Sequence, residues 1–205
     1  MRVYVESNFL LELVLQQKEV AACERLLNLA ESKQVFLVLP AYAMIESWET
    51  VVRRKAAWKE LREQIFNNKL NSEFSRSPLT KDALAQLKDA ADSFLKAEQD
   101  LADRKEVVWD QIHKHAEFIP IDGKIVAEAG RGHAIYDLTF PDAVMLASVL
   151  SHLDAAPATS VFLNRNTKDF DDPAIVAELR QRDCKFLPSF DGGLAHVERK
   201  LEISI

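Results

Sequence analysis

Short, densely apolar runs alternate along the chain with longer stretches whose apolar residues recur at helical spacing. Val3-Tyr4-Val5 is β-branched and aromatic, and it leads into Phe9, Leu10, Leu13, Val14, Val20 and Leu27 at intervals that keep one helix face apolar. That reads as strand, then helix. Residues 35–39 form a continuous apolar run ended by Pro40, as expected of a strand buried on both faces, and a helical pattern resumes at Tyr42. Residues 118–121 and 160–163 repeat the signal, each followed by helical sequence, and residues 184–187 supply a fifth strand. Strands alternating with helices predict an α/β fold: a central parallel five-stranded sheet with helices on both faces, in three layers.

Between the second and third predicted strands, residues 41–115 are helical almost throughout, with a break near Asn71 to Pro78 where polar residues and a proline gather. This predicts a helical hairpin, an arm over residues 50–116 inserted into an otherwise single domain spanning 1–205. The stretch is too long to serve only as a crossover. It is expected either to meet a partner chain, which makes a homodimer the expected assembly, or to wall a substrate groove. A plain helical layer with ordinary charge pairs explains the pattern as well.

Composition adjusts this picture in four ways. The 205 residues, 48% of them hydrophobic, can bury a sizeable core, and five glycines and seven prolines without any run mark no linker. The longest apolar run, 35–45, is too short to cross a bilayer, and the first residues lack the apolar stretch of a secretory signal, so a soluble cytoplasmic protein without a membrane partner is expected. Cys23 and Cys184 stand far apart in apolar settings, which predicts buried thiols and neither disulfide nor zinc. The net charge of −6 argues at first against a nucleic-acid partner. Its distribution changes that view. Between Val51 and Glu117 there are 13 Lys and Arg against 12 Asp and Glu, leaving 13 against 20 in the α/β body. A body that acidic fits a site neutralised by a cation, and equally a solvated acidic surface.

In an open parallel sheet, ligands bind beyond the carboxyl ends of the strands. Glu6 follows the first strand, Glu46 lies one to two turns into the helix after the second, Asp142 opens the helix over 142–153, and Asn164, Asn166 and Asp169 follow the fourth strand. Four transitions thus aim oxygen ligands at one edge. Carboxylates gathered closely repel unless something positive sits between them, and a hard divalent ion, magnesium or manganese, suits oxygen donors. Such an ion neutralises phosphate charge and lowers the pKa of water, which points to phosphodiester hydrolysis. His113, His115, His133 and His152 are not placed as bases and read as structural. No phosphate-binding glycine loop is present, which argues against a nucleotide cofactor.

Val3-Tyr4-Val5-Glu6-Ser7-Asn8 resembles the opening block of PIN-domain nucleases. Ile45-Glu46 resembles the family's second acid, and Asp142-Ala143 through Ala147-Ser148 its Asp-Ala helix start. Phe162-Leu163-Asn164-Arg165-Asn166 with Lys168-Asp169-Phe170 resembles its last strand and polar loop. The four blocks occur in the family's order and span nearly the whole chain outside the arm. The resemblance implies a PIN-like fold and a metal-dependent endoribonuclease in which Glu6, Glu46 and Asp142 bind magnesium or manganese, with products carrying 5′-phosphate and 3′-hydroxyl ends. It also admits a toxin or defence role with an inhibitory, antitoxin-like protein partner. Glu6 stands where most of the family has Asp, and Glu6-Ser7-Asn8-Phe9 with Glu12 reads as a branch form of the block. Asn164 and Asn166 stand where the family often carries Asp, which predicts weaker metal binding or dependence on a substrate phosphate.

Each candidate also has a structural role. Asp142 fits a capping box with Thr139 as cap, Glu46 could pair with Arg53 or Arg54, and Glu6 could accept amides at the start of the first helix. Asp137 supports the site or shapes a turn, with the turn favoured. Ser7 and Asn8 are expected to orient Glu6 or a metal-bound water, since nothing nearby would activate them as nucleophiles. Arg53, Arg54, Lys55 and Lys59 are the densest basic cluster, either a guide for an RNA backbone or a solvated face. Trp48, Trp58 and Trp109 suit stacking on bases, but packing of the arm explains them better. The rivals to the ribonuclease reading are a binding or assembly module with the fold but weak catalysis, and another metal phosphohydrolase acting on DNA or small phosphoesters.

Overall fold

The computed structural model describes residues 1–72 and 78–203, with side chains described except at 67–72, 78–81, 84 and 203. Five strands, β1 (Arg2–Val5), β2 (Phe36–Pro40), β3 (Ala116–Ile119), β4 (Ser160–Leu163) and β5 (Cys184–Leu187), form one sheet in the order β3-β2-β1-β4-β5. Every pairing is parallel. The inner strands explain their own positions. Val3, Tyr4, Val5, Val161, Phe162 and Leu163 are wholly buried, so only residues that prefer a pleated apolar setting on both faces fit there.

The third strand begins at Ala116, two residues before the predicted apolar run at 118–121. Pro120 gives the reason at the far end, because it lacks the N–H that pairing would need. At the near end, an edge strand needs only one apolar face, so Ala116-Glu117 pairs with Leu37-Val38 although Glu117 is polar.

Helices α1 (Ser7–Leu15) and α2 (Val20–Glu31) lie between β1 and β2, and α5 (Gly123–Tyr136) and α6 (Phe140–Ala155) between β3 and β4. Helices α7 (Thr167–Phe170) and α8 (Pro173–Gln181) precede β5, and α9 (Phe190–Ile203) follows it. The α6 residues Ala143 to Val149 are all buried, since this helix packs on α5 as well as on β2 and β3, and a helix enclosed on both sides is apolar all round. Against the other side of the sheet, α9 touches α2 and β4, with Phe9 and Phe190 meeting edge to face at 5.6 Å. A Cβ at Gly193 would come within 2.6 Å of Leu163, so glycine lets α9 sit directly on β4.

Helices α3 (Ala41–Ser72) and α4 (Pro78–His115) join β2 to β3. The chain divides into two compact units, residues 1–47 with 108–205, and residues 48–107. Within the second unit α3 and α4 are tied by Arg62 Nη1 to Glu98 Oε1 at 3.2 Å, and Lys105 Nζ lies 3.8 Å from the Trp48 ring centre. The predicted break near Asn71 to Pro78 falls on 73–77, outside the described residues. Among the described residues no single helix is long and apolar enough to cross a membrane. Cys23 and Cys184 are buried and unpaired, and burial pushes the Cys184 thiol up to about 12.

Candidate active site

The strand order reverses direction at β1 and β4, the point where an open parallel sheet leaves a crevice beyond its strand ends. Val5 pairs with Leu163, so Glu6 and Asn164 leave the sheet side by side, about one strand spacing (~4.8 Å) apart. Glu6 caps α1: its Oε2 accepts the Asn8 N–H at 3.1 Å and the Ser7 hydroxyl at 2.8 Å. The expected structural role is therefore real, but it uses half the carboxylate. Glu6 is 5% exposed, and its Oε1 is buried without a hydrogen-bond partner among the described residues. Burial pushes the Glu6 carboxyl up to about 7; the Asn8 and Ser7 hydrogen bonds pull it down, and the charge of Glu46 pushes it up further. Glu46 is thus within electrostatic reach of Glu6. It is half-buried, on α3, and among the described residues it forms no ion pair with Arg53, Arg54 or any other cation.

Asp142 stands at a helix-to-helix turn and not directly after a strand, because α5 intervenes and α6 begins two residues earlier, at Phe140. Thr139 caps α6. Its Oγ1 accepts the Asp142 N–H at 3.4 Å and donates to Asp142 Oδ2, so Asp142 reaches back to the cap hydroxyl. Its other oxygen, Oδ1, accepts Nδ2 of Asn166 at 3.4 Å. Helix α6 descends antiparallel to the strands: its first turn meets Asn166 beyond β4, and at its foot Arg2 Nη1 donates to the Ala156 carbonyl at 2.6 Å.

The two asparagines do different things. Asn164 is 1% exposed, and its Oδ1 accepts the Asn166 N–H at 2.7 Å, so it shapes the loop first. Asn166 turns its amide nitrogen to Asp142, the orientation an acceptor-only carboxylate selects. Asp169, half-buried in α7, makes no side-chain hydrogen bond or ion pair among the described residues. Asp137 is exposed and ends α5 in the left-handed region at φ 51, a turn role that Asp tolerates. Arg53, Arg54, Lys55 and Lys59 are exposed on α3 in the second unit. Arg53 donates to Thr50 at 3.1 Å, and Lys59 lies 3.9 Å from Glu63, as on a solvated helix face.

One arrangement escaped the sequence pattern. Arg165, between the two asparagines, holds Glu12 Oε1 with its Nη1 and has its Nε 3.8 Å from Glu19 Oε2. Glu12 is fully buried, and its Oε2 accepts the Glu19 N–H at 2.7 Å. Glu19 Oε2 in turn accepts the Phe190 N–H at 2.9 Å. The clamp ties the loop after β4 to α1, α2 and α9. Its signal was present: a charged residue three after Phe9, on the apolar stripe of α1, has to find a buried partner. Two of the histidines make structural contacts. His152 links Tyr4 Oη at 2.8 Å to Glu117 Oε1 at 3.2 Å, and His133 meets the Leu138 carbonyl.

Among the described residues no three His, Cys, Asp or Glu side chains are gathered into a group that could hold a metal ion. The donor set nevertheless suits a hard cation. Glu6 Oε1 is an open, buried carboxylate oxygen, Glu46 is near it, and every other candidate offers oxygen.

An all-parallel sheet with helices around it, and with Glu6 and Asn164 at its switch point, defines a three-layer α/β domain. A family model described as a PIN domain matches residues 3–170, and the chain belongs to that family, one of nucleases in general and usually of divalent-metal enzymes. No curated protein matches it as a relative.

Proposed function

We propose that the protein is a metal-dependent endoribonuclease whose site is built around Glu6. The observation that carries this reading is the Glu6 carboxylate, one oxygen fixed by the α1 cap and the other buried and unpartnered. A buried polar atom left without a partner costs about 1–3 kcal/mol, more when charged, and such a cost persists at sites that do chemistry. Glu6, Glu46 and Asp142 would hold magnesium or manganese, with Asn166 and Asp169 as further oxygen-bearing positions. When bound, the ion supplies neutralisation of phosphate charge and a more acidic water. Ser7 and the Asn8 amide hold Glu6 in one rotamer, and near neutral pH Glu6 can keep or release a proton at Oε1. Asn166 and the Thr139 hydroxyl fix Asp142. Purified protein is expected to cleave single-stranded RNA in manganese, and Glu6→Gln and Asp142→Asn to abolish cleavage. Equal activity in wild type and both variants refutes the assignment.

A second reading, a PIN-like binding module with weak catalysis, is favoured by one observation: Asp142 is engaged by Thr139 and Asn166, and no three acids are gathered among the described residues. Calorimetric titration with manganese separates the two. Absence of heat with and without RNA selects the module.

A further inference from the structure

The opposite edge of the sheet carries a second feature. A cleft of about 380 Å3 opens where β4 and β5 begin, at Ser160 and Cys184, and where α8 and α9 approach their ends. Arg180, Lys185, His196 and Lys200 line it, with the half-buried Phe186 in its wall. Phe186 is steadied from behind by Phe162, ring centres 6.2 Å apart. One acid, Asp183, lies among them, and its carboxylate already accepts the Thr159 hydroxyl at 2.6 Å.

The charge here is unusual for a chain of net −6. Arg180, Lys185 and the adjacent Arg199 form no ion pair among the described residues, whereas Arg25 and Arg182, also in this unit, are paired with acids. His196 registers the local field. Its pKa is lowered, first by burial and then by the charges of Lys185, Lys200 and Arg199, with no acid among the causes. Arg180 and Lys185 are exposed, so their charges reach solvent and follow a flexible chain better than they enclose a small anion. Cations beside an aromatic ring form the usual surface for a single strand, the ring taking a base and the cations the phosphates.

We propose that this cleft binds a single-stranded stretch of RNA, gripping its phosphates several nucleotides away from the site at Glu6. The RNA identity rests on the ribonuclease reading, but the binding does not require cleavage. The two edges are separated by the length of a four-residue strand, ~13 Å at about 3.3 Å per residue. At the stacked rise of about 3.4 Å per nucleotide roughly four nucleotides bridge that length, and a more extended strand needs fewer.

The test is the anisotropy of a labelled single-stranded RNA of about 20 nucleotides, titrated in EDTA over a range of KCl concentrations. The Arg180→Glu, Lys185→Glu double variant should bind the long RNA at least about fivefold more weakly, and its log–log salt slope should be shallower by about 1.4, two phosphate contacts at about 0.7 each. Single Arg180→Gln and Lys185→Gln variants, which leave the exposed surface polar, should each lose about half of the slope change. Unchanged long-RNA affinity and slope in all variants overturns the proposal. So does a cleft that inorganic phosphate saturates, with a thermal shift lost in the double variant, while RNA binding is unaltered. Wild type that fails to cleave but binds through Arg180 and Lys185 removes the nuclease reading and leaves the cleft standing.

Discussion

Replacing Glu6 by Gln should change how stability depends on pH. In the unfolded chain the carboxyl titrates near 4.5, and in the fold burial holds it at about 7. Below the lower value both states carry the proton, and Glu6 contributes no pH dependence. As pH rises past it, the unfolded chain releases the proton first, so it binds fewer protons than the fold and stability falls. The fall ends near the upper value, above which the whole loss is present. A displacement of that size at about 1.36 kcal/mol per pH unit makes the loss about 3 kcal/mol. Gln removes the titration and leaves an acceptor for the Asn8 N–H and the Ser7 hydroxyl, so the Glu6 contribution between pH 4 and pH 8 should vanish, about 3 kcal/mol. Denaturant unfolding at the two pH values measures it, and comparing each protein with itself cancels any cost of burying the new amide. A second arm adds manganese at pH 8. It should recover stability in wild type and not in Glu6→Gln, since a ligand that binds only the fold stabilises by about 2.7 kcal/mol at a hundred times its dissociation constant. Parallel pH profiles for the two proteins would refute the reasoning, because Glu6 would then be ionised in the fold at no cost.

Two further perturbations test the frame around the site. Arg165→Met should cost about 2–3 kcal/mol by thermal or urea unfolding, below the 3–5 typical of a broken buried pair, because Arg165 is 35% exposed and Glu12 keeps the Glu19 N–H; a change under about 0.5 kcal/mol would mean the clamp is not formed in solution. Gly193→Ala should cost about 1–3 kcal/mol, because its new methyl would press into the fully buried Leu163, and pairing it with Leu163→Ala should recover part of that loss in a double-mutant cycle.

The sheet was legible because its inner strands have no choice. Val3-Tyr4-Val5 and Ser160 to Leu163 are buried on both faces, and only continuous apolar runs fit there. Edge strands are less constrained, which is why the apolar pattern starts two residues late, at Phe118, and runs beyond Pro120. Strand order was not legible, since nothing local states that β4 returns beside β1. Among the site residues, Glu6 could be named from its place before a helix, which it caps, and Asp142 from its place in a helix's first turn, where it reaches back to the cap Thr139. What each retains beyond capping depends on burial and on loops that meet only in the fold. The Arg165 clamp joins residues 153 apart in the chain, and its chemistry in Glu12 looked like one more charge on a helix.

Glu6 and Glu12 show how a structural carboxylate differs from one held for chemistry. Both are buried, on one short helix and its cap, and both answer to the same rule that a buried charge must be compensated. Glu12 is fully compensated: Arg165 takes Oε1, and the Glu19 amide takes Oε2. Glu6 receives the Asn8 N–H and the Ser7 hydroxyl on Oε2, help from the Asn8 side chain, no ion pair among the described residues, and the charge of Glu46 nearby. An arginine placed on Glu6 would have favoured its ionised form and closed its free oxygen; the arginine of the loop after β4 is turned instead to Glu12, one and a half turns along α1. The fold thus fixes the loop through one carboxylate and leaves the other open, and that local inconsistency is where function is expected to lie.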